Sequence, residues 1–196
     1  LYKGGCTRYT TINSKQQKAA EHAVANGLLA IEHRMKNQKL KNPAPECSLV
    51  SLDVQSGGIL TMIGGKNFYK TPFNRVTSAR RQPGSAFKPF IYSAALEFGN
   101  TLATVILDAP IGIRASELEA VWRPIDYRGR FYGPTRLREA LYRSMNLVSV
   151  RLLLFETGFG NAINHIAKFG FGDAALIRNG SLALGGGNAS PLDMAQ

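Results

Sequence analysis

Cysteine and histidine are scarce in this chain of 196 residues, with two of the first and three of the second. The cysteines, Cys6 and Cys47, have no neighbours at metal-ligand spacing, so no metal site is expected. They either pair in an oxidising compartment or stay free. His22 and His33 fall on one expected helix but eleven positions apart, which suits surface positions better than ligation. No run of about 18 apolar residues occurs, so no segment is expected to cross a membrane. Residues 147–155 come nearest, and Arg151 interrupts them. No signal-peptide pattern opens the chain, and Leu1 reads as the middle of something longer. Acidic residues are also few, 13 against 24 basic, for a net charge of +11.

What is present is ordinary for one folded domain with a sizeable core: 44% hydrophobic and 19% charged residues. The charge favours an anionic neighbour. Nucleic acid is set aside, because the basic residues are scattered and carry no zinc spacing or RNA-binding aromatic signature. An anionic membrane face or polymer fits as well.

Residues 7–12, rich in β-branched side chains, read as a strand. Ser14 is placed to cap a helix whose stripe of Ala19, Ala20, Ala23, Val24, Gly27, Leu28 and Ile31 ends near Met35. A polar connector with two prolines follows at 36–46. Residues 49–54 and 59–63 read as two strands with Gln55-Ser56-Gly57-Gly58 between them, which predicts a β-hairpin opening the main sheet. A basic stretch, 66–82, carries Lys66, Lys70, Arg75, Arg80 and Arg81. It is either the rim of a cleft or a solvated loop. Residues 106–110 look extended. Residues 111–134 hold Trp122, Tyr127, Phe131 and Tyr132 among glycines and prolines. These aromatics either form one wall of a groove or pack the loop onto the domain. Helices are expected near 135–143, 147–157 and 160–169, and Ser190-Pro191 should cap one more.

The chemistry concentrates in Arg81-Gln82-Pro83-Gly84-Ser85-Ala86-Phe87-Lys88-Pro89-Phe90. Pro83-Gly84 breaks what precedes it. Phe87, Ile91, Ala94, Ala95 and Phe98 then recur at helical spacing, so Ser85 should sit at the mouth of a helix ending near Gly99. Positions i and i+3 share a helix face, which brings Lys88 within reach of the Ser85 hydroxyl. A free serine is a weak nucleophile and needs a neighbouring base. Lysine can be that base where burial disfavours its charged form. The helix N-terminus offers unpaired N–H groups to an oxyanion. The bland alternative is a capping serine and a solvated lysine. Pro89 argues against it, since a proline there removes a donor and is expected to leave the Ser85 carbonyl or a neighbour unpaired, a strain that suits a site. A second polar cluster, Arg143-Ser144-Met145-Asn146, lies between two helical stretches.

Ser-x-x-Lys followed by Ser-x-Asn is the motif series of penicillin-binding proteins and serine β-lactamases. The chain resembles the transpeptidase domain of a bifunctional (class A) penicillin-binding protein over nearly its whole length. The matching residues include Tyr9-Thr10-Thr11-Ile12-Asn13, Phe73-Asn74-Arg75, Ala79-Arg80-Arg81-Gln82 and Trp122-Arg123-Pro124. They continue through Tyr132-Gly133-Pro134-Thr135-Arg136-Leu137-Arg138-Glu139-Ala140-Leu141 to Ser181-Leu182-Ala183-Leu184-Gly185.

The resemblance implies an α/β (α+β) fold of the penicillin-binding-protein and serine β-lactamase type, an antiparallel sheet flanked by helices. It divides the chain into a leading strand and helix, 1–46, and the transpeptidase domain, 47–196. The family's third motif, Lys-Thr-Gly or Lys-Ser-Gly, is absent, so the domain is expected to lack its C-terminal strands. A glycosyltransferase domain and membrane anchor are expected elsewhere in the parent protein. By the resemblance, Ser85 attacks the bond between the terminal D-alanines of a stem peptide and Lys88 takes its proton. Ser144 relays a proton to the departing amine, and Asn146 holds the acyl amide and Lys88. Trp122 and Tyr132 would touch substrate. A second stem peptide then accepts the acyl group, and β-lactams trap Ser85. No cofactor is implied. The implied partners are peptidoglycan stem peptides, β-lactams and other cell-wall synthesis proteins, at the outer face of the bacterial cytoplasmic membrane. A serine β-lactamase and a β-lactam sensor share both motifs. The former needs an extra base for water, and no Glu-x-x-x-Asn follows Ser144, only Glu156-Thr157-Gly158-Phe159-Gly160. A non-catalytic wall-binding module is the remaining alternative.

Overall fold

The computed structural model describes residues 5, 7–40, 44–114, 121–122 and 129–196. Cys6, Tyr127 and the Arg123-Pro124 pair lie outside the described residues. The chain divides into two compact units, Leu1–Arg80 with Ser190–Gln196, and Arg81–Ala189.

In the first unit the expected hairpin forms. Strand β1 (Leu49–Leu52) pairs antiparallel with β2 (Ile59–Ile63), with an irregularity at Ser51/Leu52. Asp53 closes the turn by accepting from the Ser56 hydroxyl (2.5 Å) and N–H (2.9 Å). Helix α1 runs Ser14–Asn37 and buries Ala20, Val24 and Leu28. Spaced four apart, they form one stripe, which packs with Ile63 against the partly buried Cys47 and Leu49. The cap is Asn13 rather than Ser14: its side chain accepts from the Lys15 and Gln16 N–H groups. Residues 7–12 are not a strand. The outer edge of β2 is satisfied without a ladder there. The Asn13 N–H donates to the Leu60 carbonyl (2.9 Å), and the Gln17 amide exchanges two hydrogen bonds with the Met62 backbone. A side chain thus does the work of a strand at an edge that would otherwise offer unpaired groups. The basic stretch holds a short helix, α2 (Arg75–Ser78), capped by Asn74. The last helix, Pro191–Ala195, starts at Ser190 with a capping box to Asp193, as Ser190-Pro191 suggests.

In the second unit, a 3₁₀ turn (Gly84–Phe87) leads into α3 (Lys88–Glu97). Strand β3 (Val105–Asp108) follows, and Ile106 and Asp108 face inward. A two-residue pair, β4 (Ile113–Arg114) and β5 (Val121–Trp122), stands apart. Strand β6 (Gly133–Arg136), where the end of a loop and the start of a helix were expected, pairs antiparallel with β3. Then come α4 (Leu137–Tyr142) and α5 (Asn146–Arg151), which continues as a π-helical turn, Leu152–Thr157. Helix α6 (Phe159–Ala167) completes the set. The core holds fully buried Ile91, Leu137, Leu147, Leu152, Leu153, Ile166 and Leu182. Among the described residues the strands form three two-stranded antiparallel sheets, with no single main sheet. The architecture is α+β, small antiparallel sheets with helices against them.

Candidate active site

Ser85 lies inside the 3₁₀ turn, and α3 begins only at Lys88. The turn is tighter than the expected α-helical start, with three residues per turn, so i and i+3 eclipse. The Lys88 N–H donates to the Ser85 carbonyl. That carbonyl is therefore paired, and Pro89 occupies the second helical position, where its missing N–H costs nothing. The expected strain at Pro89 is absent. Ser85 is exposed, whereas Lys88 is buried at 1% exposure.

A buried amine must find hydrogen-bond partners. Lys88 Nζ donates to the Ser144 carbonyl (2.6 Å), the Ser144 hydroxyl (3.1 Å) and Asn146 Oδ1 (2.8 Å). The two motifs, separate in sequence, meet at this one nitrogen. One turn further along α3, the Tyr92 hydroxyl meets Ser149 Oγ (3.1 Å), which donates to the Met145 carbonyl (2.7 Å). Lys88 and Tyr92 thus fasten the same face of α3 to both ends of the segment 144–149.

Ser144 has an unusual backbone. Its φ is +56°, in the left-handed region. It follows the cap residue Arg143 of α4; its N–H donates to the Leu141 carbonyl (3.0 Å) and that of Met145 to Ala140 (2.9 Å). This is a Schellman ending, whose left-handed position normally takes glycine. Helix α3 ends in the same pattern with Gly99 there, φ +95°. A serine in that place is strained, and here it puts both its carbonyl and its hydroxyl on Lys88.

A further contributor comes from the 180–189 segment. Gly185 has φ +67°, and a Cβ on it would fall 2.1 Å from the Gly84 carbonyl oxygen. The Gly84 N–H donates to the Gly185 carbonyl (3.3 Å), and Arg81 and Ala189 exchange backbone hydrogen bonds at 3.1 and 3.0 Å. Only a glycine lets this loop lie against the turn that carries Ser85. Phe87 and Phe90, beside it, stack edge-on against Phe171 at 5.2 and 4.8 Å. The turn that carries Ser85 is therefore held from two sides.

Tyr132 is 42% exposed; its N–H donates to buried Asp108 Oδ2 (2.8 Å), and the Arg143 guanidinium lies over its ring at 5.2 Å. Trp122 is in β5, its backbone in register with Ile113. Among the described residues no group of histidine, cysteine and carboxylate side chains is arranged to hold a metal.

The model of the penicillin-binding protein transpeptidase domain matches residues 47–188, well over half the chain. The chain belongs to that family. It is 48% identical over 153 residues to penicillin-binding protein 1A of Pseudomonas aeruginosa, covering 78% of this chain and 18% of that one. Among solved structures it resembles penicillin-binding protein 1A of Haemophilus influenzae, at TM-score 0.74 and 38% identity over 78% of this chain and 22% of that one. It also resembles the PonA1 protein of Mycobacterium tuberculosis in complex with penicillin V, at TM-score 0.75 and 25% identity over 95% of this chain and 48% of that one. The chain thus spans about a fifth of the curated relatives it matches.

Proposed function

We propose that this chain carries the nucleophile half of a peptidoglycan D,D-transpeptidase site, working through a serine acyl-enzyme that β-lactams trap. The observation that carries the reading is the buried Lys88 amine, held at once by Ser144 and Asn146 and rooted three residues from Ser85. In this reading Ser85 Oγ attacks the carbonyl between two D-alanines while its proton passes to Lys88 Nζ. The oxyanion formed is stabilised by backbone N–H groups, that of Ser85 among them. As the C–N bond breaks, Ser144 Oγ hands a proton from Lys88 to the leaving D-alanine nitrogen and regains one. An amine of a second stem peptide then attacks the ester, forms the cross-link and restores the serine hydroxyl. Asn146 orients the acyl amide, and Trp122 and Tyr132 contact the stem peptide. Carboxypeptidase action is the same acyl-enzyme taken by water.

The 48% identity to a penicillin-binding protein 1A supports extending the proposal to the parent protein. We read residues 1–46 as leading into the transpeptidase domain at 47–196. The parent would add a glycosyltransferase, sit on the outer face of the cytoplasmic membrane and work with other cell-wall synthesis proteins. No helix among the described residues is long and apolar enough to cross a membrane. The test is labelling of the full-length protein with a fluorescent penicillin, followed by peptide mapping. A stable adduct at Ser85 is expected. An adduct at another residue overturns the assignment, and rapid release of the acyl group would instead mark a β-lactamase.

A further inference from the structure

Arg143 has more holding it than a residue on an exposed helix end needs. Its guanidinium pairs with Glu139 Oε1 at 3.0 Å, Nε donates to the Tyr142 hydroxyl at 3.2 Å, and the group lies over the ring of Tyr132 at 5.2 Å. Each tether is weak alone, because the side chains of Arg143 and Glu139 are 40% and 37% exposed. Together they fix one rigid planar group from two directions: α4 on one side and the residues leading into β6 on the other. The second anchor is itself fixed, since the Tyr132 N–H is held by the buried carboxylate of Asp108 at 2.8 Å.

The position of Arg143 in the chain is what gives these contacts a consequence. It is the cap of α4, and the next residue is the strained Ser144, φ +56°, whose carbonyl and hydroxyl accept from Lys88 Nζ. Serine has no intrinsic preference for that conformation, so something around it must over-determine it. The backbone bonds of the helix end do part of this. The clamped side chain of Arg143 stands immediately before the turn, between it and Tyr132, a residue facing solvent.

We infer that Arg143 is a positioning residue of the acylation site: stacked on Tyr132, it holds Ser144 in its left-handed conformation against Lys88. The inference rests on the transpeptidase reading, and it concerns only how one proton carrier is kept in place. Because Arg143 acts through Ser144, its loss should slow the chemical step without weakening the encounter with the ligand.

The experiment is stopped-flow acylation of the full-length protein by a fluorescent penicillin, resolving the acylation rate constant from the dissociation constant of the preceding complex. Thermal midpoints are recorded alongside. For Arg143→Ala the rate constant should fall about tenfold, the scale of one cation–π contact acting with an ion pair, with the dissociation constant unchanged. Arg143→Lys, which keeps the charge beside Glu139 but loses the planar group over the ring and the Nε bond to Tyr142, should recover only part of that loss. Tyr132→Leu, which severs the stack from the other side, should lower the same rate constant, and the double variant should be no slower than the slower single. Should Arg143→Ala unfold at the assay temperature, the Arg143→Lys and Tyr132→Leu arms decide. An unchanged rate constant in Arg143→Ala, a rise in the dissociation constant alone, or single effects that multiply in the double variant each overturn the inference while leaving Ser85 labelling intact. A wild-type protein that takes no label at Ser85 removes the functional reading first, and the inference with it.

Discussion

Replacing Ser144 by glycine and by alanine separates the strain at this residue from its chemistry. Both variants lose the hydroxyl and with it the 3.1 Å bond from Lys88, so that loss cancels when they are compared. What differs is the backbone. At φ +56° a residue with a Cβ carries roughly 1–2 kcal/mol of strain that glycine does not. Glycine surrenders about 0.5–1 kcal/mol of extra chain entropy on folding. The balance makes Ser144→Gly more stable than Ser144→Ala by about 0.5–1 kcal/mol, which is roughly 1–4 °C in Tm for a domain of this size. At an ordinary helix position the order is reversed by about 1 kcal/mol, so the sign is the test. Penicillin acylation should fall alike in both, by about 10²–10⁴-fold, the usual weight of a positioned proton carrier. Differential scanning calorimetry and labelling kinetics on the pair suffice. An alanine variant more stable than the glycine variant would refute the left-handed assignment. Full activity in either would refute the relay.

Two further perturbations follow from the same geometry. Gly185→Ala should destabilise by roughly 2–5 kcal/mol, because the methyl group meets the Gly84 backbone at 2.1 Å and the residue must hold φ +67°. Displacement of the Ser85 turn should then show as slowed acylation at temperatures where the variant is still folded, and a neutral variant would contradict the close approach. Stability should also decline on acidification. The hydrogen bond from Lys66 holds Glu32 below its ordinary range, and that from the Ser56 hydroxyl does the same for Asp53. For Asp193 burial opposes ionisation, but the bonds from Ser190 and the charge of Arg80 outweigh it and the carboxyl again titrates low. Each binds its proton more weakly folded than unfolded, so its contribution is complete at neutral pH and is lost as pH falls below about 4.5. Thermal midpoints measured from pH 7 to 3 should drop on the acid side, less so in Glu32→Gln; a flat profile would contradict the assignment.

The parts legible in the sequence are those with local signals. The hairpin is marked by two apolar runs on either side of Gly57-Gly58, and α1 by its apolar stripe. Ser85 and Lys88 were found because a 3₁₀ turn, like an α-helix, brings i and i+3 together. The meeting of Lys88 with Ser144 and Asn146 needed the family resemblance, since no periodicity links positions so far apart. What stayed hidden depends on distant partners. Gly133 and Pro134 read as loop residues, yet β3 recruits them into a strand. Residues 7–12 had strand propensity, but the edge of β2 was already occupied by Asn13 and Gln17. The Schellman ending at Ser144 lacks the glycine that marks the one at Gly99. Gly185 gave no sign that its partner is the backbone of Gly84.

The central claim is that Lys88, held by Ser144 and Asn146, is the base that activates Ser85. The direct measurement is the rate of fluorescent-penicillin acylation in Lys88→Ala, with the adduct mapped in the wild type. The account predicts a wild-type adduct at Ser85 and a variant that folds yet acylates about 10²–10⁴-fold more slowly. A folded Lys88→Ala protein that acylates at the wild-type rate would contradict it.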